Sequence, residues 1–215
     1  MNKSILLTRP THDRTVIYIS RWAEKVINFA KEKGDKILDL FGEKANKQQF
    51  ESMLKKQCPS YCYLNGHGDS KCITGQYNIP LVTINNNHDI LTSKVVYGLS
   101  CSAAKELGPA CVKSGTKAFI GYNDDYIFTF DDNSRTRPLD DKLAKLFLEP
   151  SNLISTSLIK GHTVSESIIA SKNALARNIS KALTSEAKAE ERAAAPFLIW
   201  DLENLTFYGE PGAKI

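Results

Sequence analysis

Two hydrophobic patterns take turns along the first 122 residues. One is a short apolar run that breaks into turn formers. Ser4-Ile5-Leu6-Leu7 is the first, and Lys36-Ile37-Leu38-Asp39-Leu40-Phe41 ahead of Gly42 is the second. Tyr61-Cys62-Tyr63-Leu64 breaks into Asn65-Gly66-His67-Gly68-Asp69, and Val95-Val96-Tyr97-Gly98-Leu99 breaks into Ser100-Cys101-Ser102. Lys117-Ala118-Phe119-Ile120-Gly121-Tyr122 ends at Asn123-Asp124-Asp125. Runs of this kind read as buried strands of a parallel sheet. The other pattern has helical spacing. Val16, Ile19, Trp22, Ala23, Val26, Ile27 and Ala30 predict a helix over Thr15 to Lys33, with capping side chains in Thr11-His12-Asp13 and a stop at Gly34. Phe50, Met53 and Leu54 predict a second helix, Lys44 to Lys56, and Leu107, Ala110, Cys111 and Val112 a third, Ala103 to Ser114. Trp22 and Cys111 fall on apolar faces and read as core. The alternation of strand and helix defines an α/β domain with a parallel sheet.

Residues 70–93 form a longer connection, with a small hairpin expected around Tyr77 to Ile84 and an exposed turn at Asn85-Asn86-Asn87. Tyr126 to Pro138 is irregular, and a helix is expected from Leu139 to Leu148. Thr163-Val164-Ser165-Glu166 is a capping box that opens a long helix to about Glu191. Phe197-Leu198-Ile199-Trp200 and Leu205 to Pro211 read as closing strands at the sheet edge. There is no internal repeat, low-complexity segment or domain boundary, so residues 1–215 are expected to form a single domain.

Composition narrows the function classes. Charged residues make up 24% of the chain and the net charge is only +4, with bases and acids interleaved, as on a solvated surface. No basic stripe carries interleaved aromatics, so no nucleic-acid partner is expected. No apolar run approaches the length of about 18 residues that a bilayer requires, so no membrane association is expected. The apolar stretch after Met1 is too short for a secretory signal, and the expected setting is cytoplasmic. Five cysteines, an odd number, fit reduced thiols better than a disulfide framework.

The chemistry converges on His67 and Cys101. Each follows a predicted strand, and in open parallel sheets ligand sites lie off the carboxyl ends of the strands. A thiol and an imidazole at neighbouring strand ends suit nucleophilic catalysis. A helix starting just after Cys101 would lower the thiol pKa. The N–H groups of Gly68 and Cys101 are the natural oxyanion donors, and glycine at 66 and 68 leaves the backbone beside the imidazole open to a substrate chain. A rival constellation, Cys58, Cys62, His67 and Cys72, has zinc-knuckle order, but the first gap is one residue too long and Cys62 lies inside a strand. No metal and no cofactor is expected. Asp131 and Asp132 alone are too few for a calcium site. Arg135-Thr136-Arg137 reads as a charged surface loop, and His12, His88 and His162 as solvated turn residues.

Asn65-Gly66-His67-Gly68 followed by Ser100-Cys101-Ser102-Ala103 resembles the caspase-fold cysteine peptidases, nearest the gingipain-like and CHAT branches. The block from Leu107 to Tyr122 is similar to the helix, glycine and strand that follow the nucleophile there. Phe207-Tyr208-Gly209-Glu210-Pro211 resembles the Gly-Asp-Pro ending of gingipain-like domains, with Glu for Asp. The resemblance implies a three-layer αβα sandwich with a mainly parallel sheet, a His67–Cys101 dyad, and an oxyanion hole at Gly68 and Cys101. It places Asp69, Leu99, Asp124 and Asp125 at the substrate pocket. Leu99 stands where relatives that cut after Arg or Lys often carry Asp, so a basic preference rests on Asp124 or Asp125. The chain lacks Gln-Ala-Cys-Arg-Gly, its His–Cys separation of 34 residues is shorter than that of true caspases, and no third residue orienting His67 is identifiable. The expected activity is hydrolysis of protein or peptide substrates, restrained by a regulatory protein partner, by an effector-sensing subunit or by a closed loop. The alternative is a catalytically silent caspase-fold module that docks a partner.

Overall fold

The computed structural model of the protein describes residues 2–215. Strand β1 (Ser4–Arg9) is followed by helix α1 (Arg14–Glu32), β2 (Lys36–Phe41), α2 (Lys47–Gln57) and β3 (Tyr61–Asn65). Three short strands come next: β4 (Gly68–Asp69), β5 (Cys72–Thr74) and β6 (Pro80–Thr83). Then follow β7 (Val95–Leu99), α3 (Leu107–Lys113) and β8 (Ala118–Tyr122). The chain closes with α4 (Lys142–Lys160), α5 (Val164–Ala182), α6 (Ala189–Asn204) and β9 (Leu205–Gly209).

The main sheet has six strands in the order β2-β1-β3-β7-β8-β9, parallel except for β9, which runs antiparallel along β8. Its central strands are apolar at nearly every position because both faces are covered. Ile5, Leu7, Tyr61, Tyr63, Val95, Tyr97 and Ile120 pack against α1, α4 and α5. The intervening Leu6, Cys62, Leu64, Val96 and Phe119 pack against α2, α3, β5 and β6. The result is the three-layer αβα sandwich with a mainly parallel sheet. Each fully buried Leu, Ile or Phe contributes roughly 1.5–3 kcal/mol, so these two-sided rows dominate the stability.

Several elements depart from the sequence expectation. Residues 101–106 form turns, and α3 begins only at Leu107. The cause lies at the end of β8: the Tyr122 carbonyl accepts from Ala104 N–H at 3.0 Å and the Asp124 carbonyl from Ser102 N–H at 2.9 Å, which holds this segment out of a helix. The hairpin of the long connection is wider than expected, pairing β5 with β6 and β4 with β5 as a separate antiparallel sheet. Helix α4 runs straight through Pro150, where the pattern predicts an end at Leu148. Proline cannot donate to the carbonyl four residues back. That carbonyl, on Leu146, instead accepts from the Asn178 side chain of α5 at 2.7 Å. The single long helix expected to Glu191 is two helices. Phe197 to Trp200, expected as a strand, lies in α6, where only Leu198 of the four is buried. A short apolar run does not distinguish strand from helix by itself, and the preceding Ala193-Ala194-Ala195 is strongly helix-forming.

The sheet has a switch point. From β1 the chain passes outward to β2, then returns to β3 on the other side of β1. Loops leaving the carboxyl ends of β1 and β3 therefore diverge and open a crevice, the usual ligand position in such sheets.

Candidate active site

Four loops meet along this edge: 10–13 after β1, 66–67 after β3, 100–106 after β7 and 123–125 after β8. Asn65 and Leu99 are register partners, so His67 and Cys101 each lie two residues beyond paired strand ends. The structure thus brings both to one edge on adjacent strands.

Close approach of the small sheet fixes the His67 backbone. Its carbonyl accepts from Thr74 N–H at 2.8 Å and from the Thr74 hydroxyl at 3.0 Å. The flanking glycines serve this packing rather than an open path for substrate. A Cβ on Gly66 would stand 2.0 Å from the Thr74 carbonyl oxygen, and one on Gly68 would stand 2.3 Å from both the Cys72 carbonyl oxygen and Ser100 Oγ. The expectation of open backbone beside the imidazole is corrected accordingly.

The imidazole itself is oriented by a residue that the sequence marks only as a helix cap. His67 Nε2 lies 2.7 Å from Asp13 Oδ2, while Asp13 Oδ1 caps α1 by accepting from Val16 N–H at 3.1 Å. Asp13 comes from the loop after β1 and His67 from the loop after β3, so the pair spans the switch point. Burial opposes ionisation of Asp13. The Val16 N–H, the bond from His67 and the nearby imidazoles of His67 and His12 outweigh it and hold the carboxyl below its usual range. A carboxylate accepting Nε2–H selects the tautomer whose Nδ1 carries the lone pair.

His12 is not solvated as expected. Its side chain is 7% exposed, with Nε2 3.0 Å from Asn78 Oδ1 and 3.4 Å from Asp13 Oδ2. His88 is likewise tucked in, with Nε2 3.2 Å from Ser114 Oγ, whereas His162 is exposed as expected. Below these loops, buried Arg9 clamps Asp39 through two bonds of 2.9 and 2.6 Å and Glu24 through one of 2.9 Å, tying β1 to β2 and α1.

Cys101 is half-buried. Its Sγ lies 3.9 Å from the Tyr126 carbonyl oxygen, and the thiol has no hydrogen bond to His67. Burial pushes the thiol pKa up, the Tyr126 backbone pulls the other way, and the Asp125 and Asp201 carboxylates add to the rise. The expected lowering by a following helix is therefore overturned, since no helix starts there. Among the described residues, the Cys101 N–H has no hydrogen-bond partner within the protein.

Of the four residues assigned to a pocket, Asp124 and Asp125 follow β8 beside Cys101. Asp125 Oδ1 is 3.5 Å from Ser102 Oγ, and its carbonyl accepts from Trp200 Nε1–H at 2.8 Å. Asp69 turns its carboxylate to Lys71 N–H at 2.7 Å in the β4–β5 turn. Leu99 is corrected: it is 1% exposed and packs into the core on the α1 face, so it lines nothing.

The other constellations do not assemble. Cys62 is buried within β3 and Cys58 is exposed at the end of α2, so the zinc-knuckle set has no common centre. Asp132 is paired with Arg14 and Arg135. Arg135 to Arg137 lies at the surface, as read. Among the described residues no helix is long and apolar enough to cross a membrane.

This is the caspase-like fold in its gingipain form, as comparison of solved structures bears out. The Arg-specific cysteine proteinase gingipain R (RgpB) superposes with a TM-score of 0.68 and 11% identity over 99% of this chain and 47% of its own. A complex of Porphyromonas gingivalis RgpB pro- and mature domains gives 0.63, 10%, 99% and 48%. The chain spans about half the length of the solved chains it matches. No protein-family profile and no curated protein matches the sequence.

Proposed function

We propose that the protein is a cysteine endopeptidase acting on protein or peptide substrates, with Cys101 as nucleophile, His67 as base and Asp13 as its positioning residue. One observation carries this reading: an oriented imidazole and a thiol follow adjacent strands at the switch-point edge of a fold shared with cysteine proteinases. Asp13 holds Nε2–H, so His67 Nδ1 takes the Cys101 proton. The raised thiol pKa makes that transfer necessary, because little thiolate forms unaided near neutral pH. The sulfur attacks the scissile carbonyl carbon, and the Gly68 and Cys101 N–H groups stabilise the oxyanion. The imidazolium then protonates the leaving amine, and water hydrolyses the thioester with His67 again as base. Asp124 and Asp125 are the acids a basic substrate side chain would meet, in keeping with the Arg specificity of gingipain R. Restraint by a protein partner fits a neighbour solved as a complex of its pro- and mature domains.

The thiol's position against the Tyr126 carbonyl rather than the imidazole favours a second reading, a silent docking module. Cleavage of a diverse peptide library by wild type and Cys101→Ala, with and without candidate partner proteins, separates the two. Peptidase action requires the variant to lose about 10³-fold or more in rate, with thermal stability nearly unchanged. Cleavage that persists in Cys101→Ala sinks the nucleophile assignment. No cleavage under any condition, together with an unreactive Cys101, supports the module.

A further inference from the structure

We infer that His12, Asp13 and His67 form a site for a divalent transition-metal ion, Zn²⁺ by donor chemistry, and that occupation of this site switches off the His67 base. One ligand atom from each residue lies within 4.8 Å of the other two, the one such grouping among the described residues. Tetrahedral zinc with N and O donors at about 2.0–2.2 Å sets its ligand atoms roughly 3.3 Å apart. The His12 Nε2 to Asp13 Oδ2 distance is already 3.4 Å, and the 2.7 Å His67–Asp13 bond needs to open by only about half an ångström. Two imidazoles and a carboxylate suit zinc, not calcium or magnesium.

A second observation points the same way. The His12 imidazole is only 7% exposed, and its Nε2 faces the Asp13 carboxylate it would share with the ion. Metal binding through Nε2 exchanges its contact with Asn78 Oδ1 for the ion, with the ring already buried beside the carboxylate. Asn78, the partner of Nε2, sits with Tyr77 in the β5–β6 turn, both at positive φ (59° and 57°), and the Tyr77 ring lies 5.9 Å from that of His12. This turn holds the imidazole against Asp13. His67 and Asp13 are each 37% exposed, so an ion can enter, and three protein ligands leave the fourth position for water.

The consequence for the base follows from proton counting, and this part rests on the proposed peptidase reading. In the metal-free site His67 carries its proton on Nε2 and its lone pair on Nδ1. An ion bound at Nε2 moves that proton to Nδ1, with no net proton gained or lost. Nδ1 then donates and no longer accepts, so it cannot take the thiol proton. Metal at this site would inhibit without touching sulfur.

The test uses the full chain, stripped with a chelator and titrated with Zn²⁺ by calorimetry and with Co²⁺ by visible absorption. The expected result is one ion per chain in wild type and in Cys101→Ala, and an affinity at least about tenfold weaker in His12→Ala and His12→Asn. Circular dichroism identifies any variant that has not folded, and the folded one of the two decides. Where cleavage is measurable, Zn²⁺ should inhibit wild type reversibly and His12→Asn about tenfold or more less sensitively. Equal binding in the His12 variants, binding lost in Cys101→Ala, or no binding to wild type overturns the site. Because binding is read without substrate, failure of the peptidase reading leaves this result intact. Binding confirmed in an active enzyme that Zn²⁺ does not inhibit overturns the switch.

Discussion

At the residue scale, Asp13 is the position on which orientation of the site depends, and its two oxygens separate its two roles. Oδ1 caps α1 and Oδ2 holds His67. Asparagine is as good a cap as aspartate, but its amide offers a donor to Nε2 and so favours the tautomer with the proton on Nδ1. Asp13→Asn should therefore lower kcat by roughly 10²- to 10⁴-fold with little change in KM or melting temperature. Asp13→Ala should lose that rate and also about 1 kcal/mol of stability with the cap. Steady-state kinetics beside thermal melts read both; an Asp13→Asn enzyme with wild-type kcat removes Asp13 from the chemistry. The sequence showed Asp13 only as a capping residue. Its second role lies across 54 residues of chain, and only the strand order, with β1 beside β3, brings the two loops together. The usable signal was its position just past the first strand, at the same edge as His67. Leu99 failed for the opposite reason: closeness to Cys101 in sequence says nothing about which face a strand residue takes, and the pleat turns Leu99 into the core.

At the element scale, the strands were legible because two-sided burial leaves uninterrupted apolar runs, whereas helices whose irregularities are compensated from elsewhere were not. Pro150 looks like an end until Asn178 supplies the missing donor to Leu146, and that partner is 32 residues away. The turns at 101–106 are likewise imposed by the carbonyls of Tyr122 and Asp124, at and just past the end of β8, that no local pattern reveals. The small sheet after β3 is the element that supports His67, and its fit can be probed directly. Gly66→Ala places a methyl 2.0 Å from a backbone carbonyl that is itself part of this sheet, so strand β5 must move. A loss of about 1–3 kcal/mol in urea denaturation is expected. Gly212→Ala, where nothing lies within 4 Å, should be close to neutral. Equal stability of the two variants would mean that β5 yields freely and does not fix the His67 backbone.

At the scale of the whole molecule, pH dependence of folding is shaped by a buried acid behind the site. Asp201 of α6 is fully buried, accepts from Ile127 N–H at 3.1 Å through Oδ1, and has no partner for Oδ2. The groups around it are the Tyr97, Tyr122 and Tyr126 phenols and the Cys101 thiol, and among the described residues no Lys, Arg or His pairs with it. Burial therefore raises its pKa well above the ordinary 3.8, against the single Ile127 bond. A raised folded pKa means that the folded chain binds this proton more tightly than the unfolded chain does. Its contribution is thus complete below the ordinary value and declines as pH rises toward the folded one, by about 1.4 kcal/mol per pH unit. Asp13, held below its usual range, acts in the opposite sense and loses its contribution only in acid. Asp201→Asn keeps an oxygen for Ile127 N–H and removes the titration. The stability difference between the variant and wild type, followed by urea denaturation upward from about pH 4, cancels every group the two proteins share. It should grow with pH in favour of the variant across the window between the two pKa values. Parallel curves would show that Asp201 is ionised in the folded protein near its ordinary pKa. In that case a negative charge would lie permanently beside Cys101, and His67 would have to work against it to form the thiolate.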